Sequence, residues 1–415
     1  MKCRSLALVL ALIYSSYSFS AETIKIGLNR PKTGAYKEQG VAQLGGAVIA
    51  VEEINAAGGV LGRQIELVVK NSASKTARTV SNVKAFADEG VKMIFGGSSS
   101  SVAIVGGKEA KAHNLLYFGT LTYSNATTGK EGHTHMFREC SNAWMAAKVL
   151  ANYLNTNYAG KKVFYITADY TWGWSTEESM RQFTNTKNAN KHPGVKTPFP
   201  NPGLTALKDA LKAAEAAQPD VLVLVQFGHD MANALKEATT MGLKDKMAIV
   251  VPSLTLGMAL DAGPTAMADV IGSLPWYWKV PKQFNYQKGI SFVDEYAERF
   301  GTYPSTSAAS AYSIVYQWKE AVERAKSFNT QKVIKALEGH SYSLLKDQQV
   351  WRSFDHQNVQ TVYAVKGNSR ETVLSGQFKQ DYFEIIDSLT GEQAARTFDE
   401  WKTVRRAAQK PLQLR

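Results

Sequence analysis

Apolar runs of strand length alternate with helix-length segments along most of this chain, and this alternation restricts the folds open to it. Residues 23–28 and 64–70 have the composition of strands, and residues 40–57 between them have an apolar helical face. The runs at 93–95 and 220–225 are almost wholly apolar, which is typical of parallel strands buried on both faces. Parallel strands connected through helices need right-handed crossovers. The sequence therefore predicts an α/β fold with parallel sheets covered by helices.

The strand–helix pattern starts again after a helical segment at 144–158, which divides the chain into two similar units. A chain of 415 residues is also longer than a domain with a single hydrophobic core usually is. We therefore predict two lobes with a cleft between them. The predicted first lobe combines residues 21–141 with 273–350, and the second combines 142–272 with 351–379. Residues 380–415 form a C-terminal tail, in which FDEWKTVRRA predicts a terminal helix.

We predict discontinuous lobes because the strand–helix alternation stops after Pro264. Three helical segments come in close succession there, at 284–300, 307–325 and 331–337. We expect them to cover the sheet of the first lobe, so the chain has to return across the cleft near 273–278. A further crossing near 351–356 then brings the chain back to the second lobe. With the first passage near Trp144 these make three crossings, which would permit the lobes to close over a ligand.

The first twenty residues predict a cleavable secretory signal. Lys2 and Arg4 precede an apolar run at 6–13 that is too short to span a bilayer, and small residues follow at 18–20. The alternative is a short N-terminal membrane anchor. Cys3 lies in this leader, which leaves Cys140 alone in the mature chain and excludes an intrachain disulfide. We expect an exported protein whose stability comes from its core.

The charge of the chain is moderately basic, with a formal net charge of +12 at pH 7. No dense block of lysine and arginine with interleaved aromatic residues is present in the sequence, which argues against nucleic-acid binding. A diffusely basic surface attracts anionic solutes, although the same balance is common in proteins where it has no function.

Hydroxyl groups follow two neighbouring strands of the predicted first sheet. The strand at 93–95 ends in two glycines and four consecutive serines, and a helical segment at 102–113 comes next. The serines are Ser98, Ser99, Ser100 and Ser101. The strand at 115–119 leads into a second hydroxyl-rich loop with Thr122, Tyr123 and Ser124. Hydroxyls and free N–H groups at a helix N-terminus beyond a strand's carboxyl end suit a small anion. The alternative is that the serines only cap a helix and line a solvent-exposed loop.

Aromatic residues occupy the corresponding places in the predicted second lobe. Trp172 follows the strand at 162–168, and Phe227 follows the strand at 220–225. Trp144 lies at the first predicted crossing. These rings are candidates for one wall of a small pocket that faces the hydroxyls of the first lobe. The alternative is that they pack inside the lobe cores or at the contact between closed lobes.

The sequence does not contain the common motifs of enzyme active sites. It has no glycine-rich dinucleotide or phosphate loop, no nucleophile elbow and no zinc-binding cluster of histidines or cysteines. His133 and His135 are separated by one residue, a spacing that we interpret as a solvated loop. We therefore predict a binding protein without catalytic residues, cofactor or metal. An α/β hydrolase or dehydrogenase is the disfavoured alternative.

The whole mature chain resembles the periplasmic solute-binding proteins of branched-chain amino-acid type ABC importers. Five segments carry the resemblance: IKIGLNRPKTGAY, GGAVIAVEEINAAGGVLGRQIELVVKNS, FGGSSSS, YITADYTWG and SFDHQ. The resemblance implies the type I periplasmic binding protein fold, with two Rossmann-like lobes and three hinge crossings. It also implies that residues 98–101 and 122–124 bind the carboxylate of a ligand. The family's aromatic positions fall on Trp172, which precedes Gly173, and on Phe227.

One position departs from the family pattern. Relatives that bind leucine, isoleucine and valine hold the ligand ammonium with an acidic side chain in the loop where this chain has Ser253. Burying an ammonium without a counter-charge costs several kcal/mol. The departure favours ligands with a carboxylate or amide and no ammonium, such as aromatic acids, short amides or urea. Asp169, Asp230 and Asp261 are the acids that stand as possible substitutes.

These observations predict the substrate-binding component of an ABC importer. A small amino acid or related carboxylate or amide would be captured by closure of the lobes and delivered to permease subunits in the inner membrane. We expect a periplasmic monomer. The alternative on the same fold is a periplasmic ligand sensor that passes its bound state to a regulatory partner.

Overall fold

Two sheets built mainly from parallel strands form the frame of the chain, which confirms the predicted α/β class. The computed structural model describes residues 23–415, so the predicted signal sequence at 1–20 lies outside the described residues. The first sheet has five parallel strands in the order β2-β1-β3-β4-β5. Their bounds are β1 Ile24–Arg30, β2 Ile65–Asn71, β3 Met93–Gly96, β4 Leu116–Gly119 and β5 Met136–Arg138.

The second sheet has seven strands in the order β15-β14-β10-β9-β8-β6-β7. Strands β6 to β10 pair in parallel, whereas β14 pairs antiparallel with both β10 and β15. The bounds are β6 Val163–Ala168, β7 Gly194–Thr197, β8 Val221–Val225, β9 Ala248–Val251, β10 Ile271–Leu274, β14 Val362–Gly367 and β15 Phe383–Leu389. A small antiparallel sheet contains β11 Ser341–Tyr342, β12 Gln349–Trp351 and β13 Asn358–Val359.

Sixteen α-helices lie within the described residues. Their bounds are α1 Lys37–Ala56, α2 Thr76–Asp88, α3 Ser100–Ala112, α4 Ala143–Asn157, α5 Thr171–Phe183, α6 Gly203–Ala217, α7 His229–Thr240, α8 Leu256–Ala262, α9 Pro264–Met267, α10 Val280–Gln283, α11 Gln287–Phe300, α12 Thr306–Ala325, α13 Thr330–Leu337, α14 Arg370–Ser375, α15 Gly391–Ala394 and α16 Phe398–Ala407. Between residues 23 and 415, none of the helices is both long and apolar enough to cross a membrane.

Side chains of the first sheet alternate between two helical layers. Met93 and Phe95 of β3 belong to a core with α1 and the late helices α11, α12 and α13. Ile94, between them in sequence, packs instead with α2 and α3 on the other face. A continuous apolar run is what a strand buried on both faces requires. Helices from the second half of the chain therefore cover a sheet made from the first.

The third passage of the chain between the sheets comes later than the sequence suggested. Trp351 packs against Phe118 and Phe137 beside the first sheet, with ring centroids 5.7 Å apart in both pairs. His356 stacks on Phe137 at 3.9 Å. Residues 351–356 therefore stay with the first sheet, because the large Trp351 ring finds its apolar contacts there. The chain enters the second sheet only after β13, at residues 360–361.

A buried lysine joins two of these passages. Lys346 is 1% exposed, and its Nζ donates to Pro275 O at 2.7 Å and to Thr361 O at 2.6 Å. Glu139, in the first passage, is buried nearby. Burial lowers the pKa of Lys346 and raises that of Glu139, while the opposite charge of each partner acts against these shifts. Buried polar groups thus link the three passages.

The C-terminal segment contains a strand as well as the predicted helix. β15 extends the second sheet beside β14, and α16 then packs on a loop of the first lobe. Trp401 Nε1 donates to Thr128 O at 2.9 Å, and Arg405 Nη1 donates to Gly129 O at 2.7 Å. Residues 380–415, which we predicted from the sequence as a C-terminal tail, therefore connect the two lobes once more.

A second buried cation, Arg138 at the end of β5, fixes the loop that follows β4. Its guanidinium donates to Thr122 O at 2.9 Å, to Thr128 Oγ1 at 2.6 Å and to Ser124 O. Nε donates to Gln357 Oε1 at 2.6 Å. Burial lowers the pKa of Arg138 to about 10, so the group stays charged at neutral pH. One side chain thus connects the loop after β4 to the segment just before β13.

We predict that Arg138→Met destabilises the protein by about 3 kcal/mol, because buried oxygen acceptors lose their donors. Arg299→Met is the matched control, since its guanidinium is partly exposed and pairs with Glu52 at 2.6 Å on the surface. We expect the control to lose less than about 1 kcal/mol. Urea unfolding measures both free energies. Equal losses in the two variants would contradict this account of Arg138.

Candidate functional site

The carboxyl ends of the parallel strands in both sheets face one gap, and side chains from the two sides meet there. Ser124, from the loop after β4, lies against the first turn of α5. Its Oγ is 2.8 Å from Ser175 Oγ and donates to Thr171 O at 3.1 Å. Tyr123, the residue before Ser124, contacts Phe227 of the second lobe, with ring centroids 5.8 Å apart. The two lobes are therefore in contact in this structure.

The turn into the serine loop depends on Gly96. Its φ is +116°, and a Cβ there would lie 2.8 Å from Asn29 O, so both backbone conformation and space require glycine. Ser99 is the N-cap of α3 and accepts from Val102 N at 3.4 Å. The loop therefore delivers serine hydroxyls and the N-terminal end of a helix to the gap, an arrangement that suits an anion.

The four serines of this loop have different neighbours. Ser98 Oγ is 2.8 Å from Ser74 Oγ, and Ser99 Oγ is 3.2 Å from Ser101 Oγ. Ser100 Oγ accepts from the backbone N of Ser124 at 2.9 Å. Ser98, Ser99 and Ser100 are buried, whereas Ser101 is half-buried. The structure thus brings residues 98–101 and the loop after β4 together, as the sequence predicts.

In the loop after β4, successive side chains point to different surroundings. Thr122 Oγ1 is 2.6 Å from Thr127 Oγ1, so this hydroxyl makes a contact within the loop. The backbone N of Thr122 donates to Cys140 Sγ. Tyr123 and Ser124 instead reach the second lobe. Sequence reasoning missed Gln43, whose Nε2 donates to Gly97 O at 2.7 Å and so connects α1 to the serine loop.

Phe227 lies at the centre of an aromatic cluster drawn from both lobes. Its ring centroid is 5.6 Å from Tyr36, 5.8 Å from Tyr123 and 5.8 Å from Trp172. Two polar atoms of this cluster, the Tyr123 hydroxyl and Trp172 Nε1, are buried without a hydrogen-bond partner among the described residues. Buried donors in proteins are nearly always satisfied. These two are free to donate to a small molecule.

Tyr36 was not among the predicted site residues, although the sequence held a signal for it. It follows β1 at the same edge of the first sheet as the serine loop. The serines were identified because they follow the carboxyl end of a strand, and Tyr36 has the same position. Tyr170 lies just before α5. Burial raises the pKa of both Tyr36 and Tyr170, and the interaction between the two phenols lowers the pKa of Tyr36 and raises that of Tyr170. The Tyr170 ring stacks on Phe199 at 3.6 Å. An aromatic pair therefore spans the lobes beside the Phe227 cluster.

Two predicted residues lie outside this cluster. The Trp144 ring packs against Phe183 at 4.7 Å and under the Arg396 guanidinium at 4.4 Å, because α4 turns that face toward α5 and the C-terminal segment. Ser253 follows β9 and is buried. Its neighbour Thr255 accepts from Gln39 Nε2 at 2.9 Å, so this loop touches α1 of the first lobe.

The three acids named as substitutes have distinct environments. Asp169 accepts from Trp174 Nε1 at 2.7 Å and pairs with Lys196 at 3.1 Å on the surface. Asp261 pairs with His229 at 2.7 Å and with Lys236. Asp230 is half-buried in the first turn of α7, where burial raises its pKa to about 6. Asp230 and Asp261 line the same crevice between the lobes, whereas Asp169 is not among its lining residues.

A crevice of about 640 Å³ opens between the lobes at Asp230. Gly34, Ala35 and the start of α1 line it from the first lobe, and the start of α7 and the length of α8 line it from the second. Over residues 23–415, no group of three His, Cys, Asp or Glu side chains is placed to hold a metal ion. The lining of this crevice is charged, with Glu38, Asp230 and Asp261 among it, and it includes neither the serine loop nor the rings of the Phe227 cluster.

Comparisons with known proteins agree with this architecture. A Leu/Ile/Val-binding protein homolog 4 of Brucella melitensis is 25% identical over 350 residues, which are 81% of this chain and 82% of that protein. A Streptococcus pneumoniae branched-chain amino acid transporter substrate-binding protein, solved with isoleucine, has a TM-score of 0.73 and 22% identity, covering 88% of this chain and 100% of its own.

A solute-binding protein of an ABC transporter from Rhodopseudomonas palustris was solved with 3,4-dihydroxybenzoic acid. It has a TM-score of 0.77 and 18% identity, and the match covers 89% of this chain and 98% of that one. The sequence profile of the periplasmic binding proteins matches residues 23–372. The family predicted from the sequence is thereby confirmed: this chain belongs to the periplasmic binding protein family.

Proposed function

We propose that this chain is the periplasmic substrate-binding component of an ABC importer. It acts as a monomer, captures a small carboxylate-bearing solute between its lobes and delivers that solute to permease subunits in the inner membrane. The observation that carries the proposal is the pair of unpartnered buried donors, Tyr123 OH and Trp172 Nε1, one from each lobe, beside the same Phe227 ring.

The first lobe would hold the carboxylate of the solute. Ser99 and Ser100 begin α3, where backbone N–H groups and the helix dipole favour a negative charge. The hydroxyls of the same serines add donors. The isoleucine and dihydroxybenzoic acid found with two related structures share a carboxylate and little else, which supports recognition of that group.

The second lobe would close over the remainder of the solute. Trp172 and Phe227 supply flat apolar faces, and Trp172 Nε1 supplies one donor. Contacts such as Ser124–Ser175 and Gln39–Thr255 join the lobes directly and can form only when the cleft is shut. A solute that touches both lobes binds the closed state more tightly than the open state, so it shifts the population toward closure.

We predict that carboxylate-bearing solutes stabilise residues 21–415 against heat. The panel contains branched-chain amino acids, their deaminated keto acids, aromatic carboxylates, short amides and urea. A ligand present at about 100 times its Kd adds roughly 2.7 kcal/mol of stability. A thermal-shift screen followed by calorimetry detects this, and chromatography should recover the solute unchanged. Stabilisation by no carboxylate of the panel, or turnover of the solute, would overturn the proposed function.

We also predict that Trp172→Phe and a Ser99→Ala/Ser100→Ala double variant each weaken binding at least tenfold while the protein remains folded. The first removes a donor but keeps a ring, and the second removes both hydroxyls at the start of α3. Trp174→Ala is the matched control, because Trp174 is 51% exposed on the same helix. Calorimetry with the best panel ligand gives the three affinities. Wild-type affinity in both site variants would mean that the solute binds elsewhere.

A further inference from the structure

We propose a second binding site, for a small organic anion with an apolar body, at the amino edge of the second sheet. A cavity of about 420 Å³ lies there between the C-terminal ends of α4 and α5 and the first residues of β6 and β8. We call it the α4–α5 cavity. Both strands run from this cavity toward the cleft, where Trp172 and Phe227 follow their carboxyl ends. The site is therefore separate from the one in the proposed function, and neither depends on the other.

The floor of the α4–α5 cavity is apolar. Val163 and Tyr165 of β6 are opposite Val221 and Val223 of β8 in the parallel register, so these four side chains lie on one face of the sheet. Leu154 of α4 adds a further apolar side chain to the lining. Such a surface favours contact with a hydrocarbon chain or a ring over contact with water.

One buried side chain in the lining has a donor without an acceptor. His192, in the segment between α5 and β7, is 4% exposed, and its Nδ1 accepts from the backbone N of Val163 at 3.1 Å. Burial and the charges of Lys191 and Arg181 lower the pKa of His192, so the ring is neutral at pH 7. Its single proton is therefore on Nε2. Within residues 23–415 this Nε2 has no hydrogen-bond partner, so it is free to donate to an occupant of the cavity.

The segment that carries His192 is held in place by contacts around it. Arg181 Nη1 donates to Thr186 O and to His192 O, both at 2.8 Å, and the Arg181 guanidinium lies 4.1 Å from the centre of the Tyr165 ring. The backbone N of His192 donates to Asn188 O at 2.8 Å. The Nε2 donor thus has a defined position before a ligand arrives, which lowers the entropic cost of binding.

The charge around the cavity favours an anion. Among the residues that the structure describes, its lining contains Lys161, Lys191 and His192 but no aspartate or glutamate. Lys161 pairs with Asp220 at 3.5 Å, outside the lining. The Lys191 ammonium forms no ion pair or hydrogen bond with any described side chain. An anionic group that accepts from His192 Nε2 would therefore also meet an unpaired cation from the adjacent residue.

These features together define the class of occupant. A hydrocarbon without a polar group would leave His192 Nε2 without an acceptor, which is costly for a buried donor. A small ion such as inorganic phosphate would leave the apolar floor without contacts. A monocarboxylate with an aliphatic chain or a ring satisfies both parts, with its body against β6 and β8 and its head at His192 and Lys191.

The test measures octanoate and its uncharged analogue octanamide by calorimetry. Residues 21–415 with Ser99→Ala/Ser100→Ala provide the background, because this change removes hydroxyls proposed to hold a carboxylate in the cleft. Octanoate should bind at least about fivefold more tightly than octanamide. Adding Lys191→Gln should weaken octanoate about fivefold and leave octanamide within about twofold, since only octanoate carries a charge.

His192→Asn tests the second contact. The asparagine amide oxygen can still accept from Val163 N, but nothing replaces the Nε2 donor, so both probes should bind about tenfold more weakly. Lys187→Gln is the matched control, because Lys187 is exposed in the same segment and does not line the cavity. Unchanged melting temperatures of the free variants show that they are folded. If His192→Asn is unfolded, the exposed Lys191 still decides the test.

No binding of octanoate at millimolar concentration would overturn the inference, and so would an octanoate affinity that neither cavity variant changes. In the wild-type background, Lys191→Gln and His192→Asn should keep the affinity for the best cleft ligand. A tenfold loss of that affinity would contradict two separate sites. If no carboxylate of the panel stabilises the protein through the cleft, the proposed function fails while a response of octanoate to Lys191→Gln still supports the second site.

Discussion

A guanidinium taken out of water has to find hydrogen-bond acceptors inside the protein, and the way Arg138 meets this requirement shapes the first lobe. Its donors reach the backbone of Thr122 and Ser124, the Thr128 hydroxyl and the Gln357 amide. The loop after β4 thereby gains a single conformation, in which Tyr123 and Ser124 reach the second lobe. The cation does not contact the aromatic cluster, yet it determines where that cluster's Tyr123 ring stands.

The contact between the lobes combines two kinds of interaction with different roles. The rings of Tyr36, Tyr123, Trp172 and Phe227 supply apolar area that tolerates a range of solute shapes. Hydroxyl pairs such as Ser124–Ser175 are short-range and directional, so they form only in one relative position of the lobes. The rings therefore stabilise the contact between the lobes, whereas the hydroxyl pairs determine the relative position of the lobes in the closed state.

Much of the fold and part of the site follow from the sequence because both depend on local pattern. Apolar runs such as 93–95 locate strands, and strand ends locate the serine loop, Trp172 and Phe227. Arg138 and Gln357 were missed because their contact joins residues 219 apart, and no periodicity records such a pair. The contacts of Trp144 could not be predicted for a related reason: the sequence places the residue near a crossing, but the direction of its ring depends on Phe183 and Arg396.

The composite core of the first lobe has a consequence for the order in which the protein can fold. Strands β1 to β5 leave the ribosome first, but α11, α12, α13 and Trp351, which bury one face of their sheet, are made only after most of the second lobe. Contacts between segments so far apart form slowly. A partly synthesised chain therefore cannot complete its first lobe, and for a protein that we propose to be exported this delay keeps the early strands in a form that a translocation channel can still thread.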